Sequence, residues 1–196
     1  MINIQEVEIF KSNINTLKEL SKDDSDPSNP IYMTESKVLA VNFDDVKTKY
    51  VNSLGLTEEF ATSFDALLSG KANNLVFIEF KNGDMKNQKR NVKDKIRDGL
   101  LIFCDIVGEN ITYSRKNVDF LLVYNGNKNP LPNQLTRERP QESISRTIIQ
   151  KLIMSKANKE FILFGLEKFQ KLYFREVHTY TELEFEKYLG KINYFF

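Results

Sequence analysis

The sequence predicts an α/β domain, with a mixed central sheet flanked by helices, from three observations. Two short apolar runs separated by SGKANN, within residues 63–81, are typical of adjacent antiparallel strands. An amphipathic helix is predicted at Asn91–Val107, and a nearly continuous apolar run, NVDFLLVY, begins at Asn117. Such a run is typical of a strand buried on both faces, at the centre of an α/β sheet. The order of elements from residue 34 onward therefore favours an α/β or α+β fold with a mixed sheet.

The N-terminal region is predicted to contain two helices joined by a polar loop. Helical spacing across Asn3–Leu20 predicts the first helix, and residues 21–30, with two prolines, predict the loop. The second helix is predicted to begin after Thr34, its N-cap, and to end at Gly55. The apolar stripes of these two helices are Val7, Phe10, Ile14, Leu17 and Leu20, and Leu39, Phe43, Val46, Tyr50 and Leu54.

Beyond the buried strand, the sequence predicts a long loop, a helix, a strand and a last helix. Three prolines mark the loop at residues 127–140, and the next helix is predicted from Gln141 to Ala157. A strand-like LYFREVHTY segment occupies residues 172–180. Thr181 and Glu184 have the spacing of a capping box, which predicts the start of the last helix.

Length and composition favour one folded domain over residues 1–196, with 1–30 as an N-terminal helix and loop and 126–196 as a C-terminal extension. The 28 basic and 27 acidic side chains nearly cancel, which disfavours a general polyanion binder but permits a local basic groove. A single cysteine, Cys104, and a single histidine, His178, disfavour a Cys/His zinc site. The N-terminus lacks the pattern of a signal peptide, and no run approaches the ~18 apolar residues of a membrane span. We therefore expect a cytoplasmic protein without a membrane partner.

The second predicted strand, NLVFIEFKNGD, changes from apolar to charged residues toward its end. Because strand side chains alternate, Glu79 and Lys81 share one face of this strand with Leu75 and Phe77. Asp65, on the preceding strand, is expected beside Glu79 if the two strands form a hairpin. Two carboxylates can hold a hard cation such as Mg²⁺, which acidifies a bound water and offsets phosphate charge. A lysine beside them can orient that water or stabilise the developing anion, so the trio suits metal-assisted hydrolysis.

At these residues the sequence resembles the PD-(D/E)XK nuclease superfamily, whose members share the restriction-endonuclease-like fold. The resemblance rests on Asp65 and on the Glu79-x-Lys81 spacing, followed by the predicted helix and buried strand, and it covers residues 34–125. It implies that Asp65 and Glu79 bind Mg²⁺ or Mn²⁺. It also implies that Lys81 is the catalytic lysine.

Glu35 extends this predicted catalytic site, because many members of the superfamily add a glutamate from the helix before the hairpin. Its alternative role is a first-turn carboxylate that favours the helix N-terminus. The trio of Asp65, Glu79 and Lys81 also has an alternative, a set of ion pairs at a sheet rim, where an exposed pair contributes about 0–1 kcal/mol. The sequence departs from the family pattern at Phe64, where that pattern has proline.

A row of basic residues follows the motif and predicts contact with nucleic-acid phosphates. Several of them would lie along one side of the predicted helix, next to the expected metal site. A solvated helix surface is the alternative, because charged residues are common on exposed helix faces. The predicted nucleic-acid-binding residues are Lys86, Lys89, Arg90, Lys93 and Arg97.

Other chemically able residues have simpler structural interpretations. His178 could act as a general base, but its strand-like surroundings favour a structural role. Cys104 lies near the apolar face of its helix and is expected to be a structural thiol. The charged group Arg137–Arg139 could touch phosphate, although salt bridges within a loop explain it as well. The many aromatic residues of the last third are expected to form core or a buried oligomer surface.

The sequence as a whole predicts a metal-dependent nuclease of the PD-(D/E)XK type, acting on DNA in preference to RNA. A domain without an accompanying helicase or methyltransferase suggests, by association, a phage, mobile-element or defence setting. The alternative is a non-catalytic interaction or regulatory protein on the same scaffold, with the aromatic C-terminal third as its contact surface. A monomer and a homodimer are both compatible with the sequence.

Overall fold

A computed structural model describes residues 2–70, 74–130 and 162–191. The predicted fold class is confirmed, since a six-stranded mixed sheet lies between layers of helices. The strands are β1 (Ile14–Thr16), β2 (Lys22–Asp23), β3 (Ile31–Tyr32), β4 (Leu39–Asn42), β5 (Ala66–Ser69), β6 (Leu75–Lys81), β7 (Val118–Tyr124) and β8 (Val177–Thr181). The α-helices are α1 (Glu8–Lys11), α2 (Leu17–Leu20), α3 (Phe43–Ser53), α4 (Met85–Val107), α5 (Ile111–Asn117) and α6 (Glu182–Leu189).

The main sheet has the strand order β1-β4-β5-β6-β7-β8, and β2 pairs separately with β3. Antiparallel pairing joins β1, β4, β5 and β6, whereas β7 runs parallel to β6 and β8 runs parallel to β7. The predicted hairpin is β5–β6, and the predicted buried strand is β7, in which every residue is buried. The long helix α4 belongs to the crossover connection that parallel β6 and β7 require.

The helix α4 is longer than predicted, because Asp84 caps it several residues before Asn91. The Asp84 side chain accepts a hydrogen bond from the Lys86 N–H at 2.8 Å, which satisfies one of the unpaired donors of the first turn. The predicted end is confirmed, since Gly108 adopts a left-handed conformation with φ 66°. This length carries polar side chains of the first turns past the end of β6.

Two apolar cores lie on opposite faces of the sheet, because alternate residues of each strand point to opposite sides. One core packs α3 and α4 against the sheet, and the other packs α2 and α6 against it. The largest buried side chains of the first core are Phe10, Phe43, Phe64, Phe77, Phe103, Phe120, Phe169 and Phe174. The second core includes Leu17, Leu68, Ile78, Phe80, Leu121, Phe185 and Leu189.

The predicted first helix over Asn3–Leu20 is wrong, because a strand interrupts it. α1 ends after Lys11, where the Asn13 side chain donates to the Ile9 carbonyl at 2.6 Å. β1 then pairs with β4, and Thr16 begins α2 by accepting the Glu19 N–H. Asn and Thr side chains compete with helical hydrogen bonds in this way, so apolar spacing alone misassigned the segment.

The predicted second helix is right only in its later part. Residues 39–42 form β4, and α3 begins at Phe43 with Asn42, not Thr34, as its N-cap. Ala40 and Val41 are both fully buried, one on each side of the sheet, as a central strand requires. Thr34 instead donates a short hydrogen bond to the carboxylate of Glu186.

The C-terminal region agrees with its predictions in part. The strand lies at Val177–Thr181, later than the predicted residues 172–180, and the capping box of Thr181 and Glu184 is present. The predicted helix Gln141–Ala157 and the charged group Arg137–Arg139 lie outside the described residues. Several aromatic side chains of this region are core residues: Phe169, Phe174 and Phe185.

Candidate functional site

The hairpin β5–β6 brings Asp65 and Glu79 together, as predicted. Asp65 directly precedes β5, and its N–H donates to the Ile78 carbonyl at 3.2 Å. Its Oδ2 accepts a hydrogen bond from the Phe80 N–H at 2.6 Å, which fixes the carboxylate against the backbone of β6. Glu79 lies on the same face of the sheet as Phe77 and is fully buried. The two carboxylates are therefore held by strand backbone and not by a flexible loop.

Phe64, the residue that departs from the family pattern, sets the distance between this hairpin and α4. Its ring is fully buried and stacks on Phe77 with ring centroids 4.2 Å apart. Gly99 of α4 faces the same ring, and a Cβ at this position would lie 2.7 Å from Phe64. The close approach therefore requires glycine, and it brings Lys95, one turn earlier on α4, over the two carboxylates.

Lys95 bridges the two carboxylates with its ammonium group. Its Nζ lies 2.9 Å from Asp65 Oδ1, 2.9 Å from Glu79 Oε1 and 3.1 Å from Glu79 Oε2. Lys81 approaches Glu79 from the other side, with its Nζ 2.8 Å from Oε1. The site is thus a compact group of two carboxylates and two ammonium groups.

One oxygen of Glu79 has charged neighbours but no aligned hydrogen bond. Oε1 is buried and accepts no hydrogen bond of acceptable geometry from the described residues, although both ammonium groups lie within 3 Å of it. Burial raises the pKa of Glu79 to about 7, and the nearby Asp65 carboxylate adds to the rise. The positive charges of Lys95 and Lys81 oppose this change. Glu79 is therefore a carboxyl group that gains or loses its proton near neutral pH.

Lys95 remains charged in this environment. Burial lowers the pKa of Lys95, but the carboxylates of Glu79, Asp65 and Asp44 together raise it well above its ordinary value. Its side chain is only 14% exposed, so the ammonium is screened from solvent and depends on these three acids for its stabilisation.

An open cleft of about 530 Å³ is lined by Asp65 and Lys81, whereas Glu79 and Lys95 are not among its lining residues. The segment 19–25, the start of α3, the end of β6 and Gln88 of α4 form its walls. Its ionisable lining consists of Glu19, Lys22, Asp23, Asp24, Asp44, Asp65 and Lys81. The acidic groups outnumber the basic ones, so the cleft attracts cations and repels phosphate unless a cation intervenes.

Asp44 is a member of the site that the sequence analysis missed. It lies in the first turn of α3, lines the cleft and accepts a hydrogen bond from the Ser63 hydroxyl at 2.6 Å. The misplaced start of that helix hid it, since an acidic residue just after Asn42 becomes a first-turn carboxylate only when Asn42 is the cap. Lys95 was not among the predicted site residues, although its position three residues after the buried Val92 indicates an inward-facing side chain.

Glu35 does not join the predicted catalytic group. It lies between β3 and β4, outside any helix, and its side chain is 75% exposed. Its Oε2 pairs with the Lys18 ammonium at 2.6 Å. The expectation that Glu35 begins a helix beside the hairpin was wrong, because the helix begins at Phe43.

The predicted nucleic-acid-binding row lies on α4 but on the side turned away from the site. Gln88 lines the cleft, and Lys95, two turns later on the same face of α4, contacts the two carboxylates. Arg90 and Arg97 each follow one of these residues by two positions, about 200° round the helix. Both arginines approach Asp94, at 3.8 and 3.3 Å. Contact of this row with phosphate stays a prediction. The four exposed members are Lys86, Lys89, Arg90 and Arg97, and Lys93 is half-buried.

A second charged cluster lies on the opposite face of the sheet. Oxygens of Asp119 and Glu176 and a ring nitrogen of His178 lie within 4.8 Å of one another. Arg175 forms a bidentate pair with Asp119, at 2.9 and 2.5 Å, and the Glu176 N–H donates to the same carboxylate at 3.2 Å. His178 Nε2 lies 3.3 Å from Glu176 Oε2. A guanidinium therefore already supplies the positive charge that Asp119 requires.

Cys104 is buried on α4, and burial raises the pKa of its thiol to about 11. A thiol with this pKa is almost wholly protonated at neutral pH and is a poor nucleophile. Its position agrees with the predicted structural role.

Comparisons with protein-family models, with curated proteins and with solved structures found no match to this chain. Among the described residues, no helix is both long and apolar enough to cross a bilayer.

Proposed function

We propose that the protein is a metal-dependent nuclease that hydrolyses phosphodiester bonds, with DNA as the preferred substrate. The observation that carries the proposal is the convergence of Asp65 and Glu79 on one cation position, with Lys81 beside it at the wall of an open cleft. Two carboxylates held close together away from solvent lower the stability of the folded state. Arrangements of this kind are concentrated at functional sites.

The oxygen atoms of the site fit a hard divalent cation such as Mg²⁺ or Mn²⁺. Asp65 Oδ2 is taken by the Phe80 N–H, which leaves Oδ1 facing the cation position now held by the Lys95 ammonium. Glu79 Oε1 is buried and accepts no aligned hydrogen bond from the described residues. A divalent ion at this oxygen would take the place of the Lys95 ammonium, which lies 2.9 Å away, and its double charge would attract a buried carboxylate more strongly.

The residues divide the work of hydrolysis among them. When bound, the divalent ion supplies an acidified water and positive charge against the phosphate. Asp65 and Glu79 hold that ion on the rigid hairpin. Lys81 lines the cleft, where its ammonium orients the attacking water and stabilises negative charge developing on the phosphate oxygens. Asp44 increases the negative potential that draws cations to this end of the cleft.

The charge of the cleft explains why such an enzyme would depend on metal for substrate binding as well as for chemistry. Of its seven ionisable lining residues, five are acidic, so a nucleic-acid phosphate would be repelled in the absence of divalent ions. The order of β5, β6, α4 and β7 is also the order expected from the resemblance to the PD-(D/E)XK superfamily, which supports the same assignment.

A cleavage assay tests the proposal directly. The protein is incubated with Mg²⁺ or Mn²⁺ and with single-stranded and double-stranded DNA and RNA, beside Lys81→Ala and the control Lys116→Ala, at an exposed position of α5. We expect cleavage by the native protein and by the control, and loss of cleavage in Lys81→Ala with an unchanged circular dichroism spectrum. Equal cleavage by Lys81→Ala would refute the mechanism, and no cleavage of any substrate by the native protein would refute the function.

A second candidate function is a non-catalytic interaction protein on the same scaffold. The observation that favours it is Lys95, whose ammonium holds both carboxylates and could replace a metal permanently. The aromatic C-terminal third is a weaker basis for it than the sequence suggested, since Phe169, Phe174 and Phe185 are buried. Folded protein that neither binds Mn²⁺ nor cleaves nucleic acid would favour this alternative.

A further inference from the structure

We propose that Lys95 is a built-in counter-cation that occupies the metal position and must leave it before a divalent ion can bind. The proposal rests on the metal site of the proposed function. It adds a residue that controls when this site can be loaded.

The geometry places the ammonium where a bridging ion would sit. One nitrogen atom, Lys95 Nζ, lies within 3.1 Å of Asp65 Oδ1 and both oxygens of Glu79. A divalent ion sharing those oxygens would be at most a few ångströms from the same nitrogen, where two positive charges repel strongly in a poorly solvated site. The two cations therefore exclude one another.

The two lysines of the site differ in what they contact. Lys81 lines the cleft and approaches only one of the two carboxylates, at Glu79 Oε1. Lys95, like Glu79, is not among the lining residues of the cleft, and its ammonium contacts both carboxylates. Lys81 is thus placed for substrate, whereas Lys95 is placed to balance the carboxylates when no metal is bound.

Asp44 offers the displaced ammonium another partner. Its carboxylate is one of the negative charges that act on the Lys95 ammonium, and it lines the cleft with Asp65 at the start of α3. A lysine carries its charge on four flexible methylene groups, so the ammonium can move toward Asp44 without a change in the helix. Metal binding then exchanges one ion pair of Lys95 for another.

Calorimetric titration of Mn²⁺ into the native protein, Lys95→Met and the control Lys116→Met tests this exchange. Methionine keeps most of the apolar stem of lysine, one atom shorter, but removes the charge that competes with the ion. We expect Lys95→Met to bind Mn²⁺ about tenfold more tightly or better, because the ion no longer displaces an ammonium. Lys116→Met, at an exposed position of α5, should bind as the native protein does.

Thermal unfolding gives a second readout. Without metal, Lys95→Met should unfold at a lower temperature than the native protein, and Mn²⁺ should raise its unfolding temperature by more than it raises the native one. If Lys95→Met does not fold without metal, its folding on addition of Mn²⁺ supports the proposal, and failure to fold with Mn²⁺ contradicts it.

The outcomes separate this inference from the proposed function. Equal or weaker Mn²⁺ binding by Lys95→Met contradicts the counter-cation role, even if the native protein cleaves nucleic acid. Tighter binding by Lys95→Met, with no cleavage by either protein, supports the counter-cation role and contradicts the nuclease. Absence of Mn²⁺ binding in both proteins contradicts the inference.

Discussion

Two charged clusters lie on opposite faces of the same sheet, and they differ in the groups that pair with their carboxylates. Asp119 is held by a bidentate guanidinium and by a backbone N–H. Asp65 and Glu79 share the Lys95 ammonium, Lys81 approaches Glu79 as well, and the Phe80 N–H donates to Asp65. The two clusters therefore differ in the cation that pairs with their carboxylates, which is a guanidinium at Asp119 and lysine ammonium groups at Asp65 and Glu79.

The largest expected difference between the clusters concerns cleavage. Asp65→Asn should lower the rate of metal-dependent cleavage by about 10²–10³-fold, because one charged ligand of the metal is lost. His178→Ala, in the opposite cluster, should change that rate by about twofold or less. The initial rate of cleavage by each variant is measured at saturating Mn²⁺. A comparable loss of rate in both variants would contradict the assignment of catalysis to the Asp65 cluster alone.

The pH dependence of stability should come from the Glu79 cluster. The pKa of Glu79 is raised from 4.5 to about 7, so the folded state binds a proton there more tightly than the unfolded state does. The unfolding free energy of the native protein should therefore fall as pH rises from about 4.5 to 7, by on the order of 3 kcal/mol, relative to Glu79→Gln. Above pH 7 the difference should level off.

Urea denaturation at several pH values, in a chelator that removes divalent ions, measures this difference. Parallel stability curves for the native protein and Glu79→Gln would contradict the raised pKa. Arg175→Met in the opposite cluster serves as a comparison, since its effect should vary less over the same range of pH.

The cluster of Asp119 and Arg175 should contribute to the stability of the fold but not to the affinity for Mn²⁺. Arg175→Met leaves Asp119 buried with its main charged partner removed, which should lower the unfolding free energy by about 2–3 kcal/mol. This loss of stability is smaller than that expected for a fully buried ion pair, because the Arg175 side chain is 34% exposed. Arg97→Met removes only an exposed pair and is the matched control. Tighter binding of Mn²⁺ by Arg175→Met than by the native protein would place a metal in the opposite cluster and contradict this account.

The smallest effect is expected on the outer side of α4. Arg90→Gln combined with Arg97→Gln should weaken binding of DNA by about threefold or less at 0.15 M salt, because both arginines face away from the cleft and approach Asp94. Fluorescence anisotropy with a labelled duplex and with Ca²⁺ in place of Mg²⁺ measures the change. A much larger loss would instead place the path of the nucleic acid along that side of the helix.

Local patterns predicted the central part of the fold and three of the site residues. β5, β6 and β7 follow from short apolar runs, and the Glu79-x-Lys81 spacing places both side chains on one strand face whatever lies around them. Asp65 followed from the hairpin, since antiparallel pairing determines which residues are neighbours. These predictions depend on a few consecutive residues, which a sequence shows directly.

The rest of the site depends on contacts between distant segments. Lys95 reaches the carboxylates only because Gly99 lets α4 approach the Phe64 ring, a packing relation that helical spacing does not show. Glu35 was predicted as the acidic residue at the start of the helix, a position that Asp44 holds in the structure. The error arose because the apolar residues of β4 also fit the spacing of a helix. The pairing of β4 with β1 and with β5 makes this segment a strand and not the start of a helix. The local sequence does not show this pairing, because both partners are short strands that lie apart from β4 in the sequence.

The central claim is that Asp65 and Glu79 form a site for a divalent metal ion, and calorimetry tests it most directly. Mn²⁺ and Mg²⁺ are titrated to millimolar concentration into the folded native protein and into the Asp65→Asn/Glu79→Gln double variant, with Asp119→Asn as a control from the other cluster. We predict binding to the native protein and to the control, and loss of that binding in the double variant. Undiminished binding by the double variant would contradict the claim.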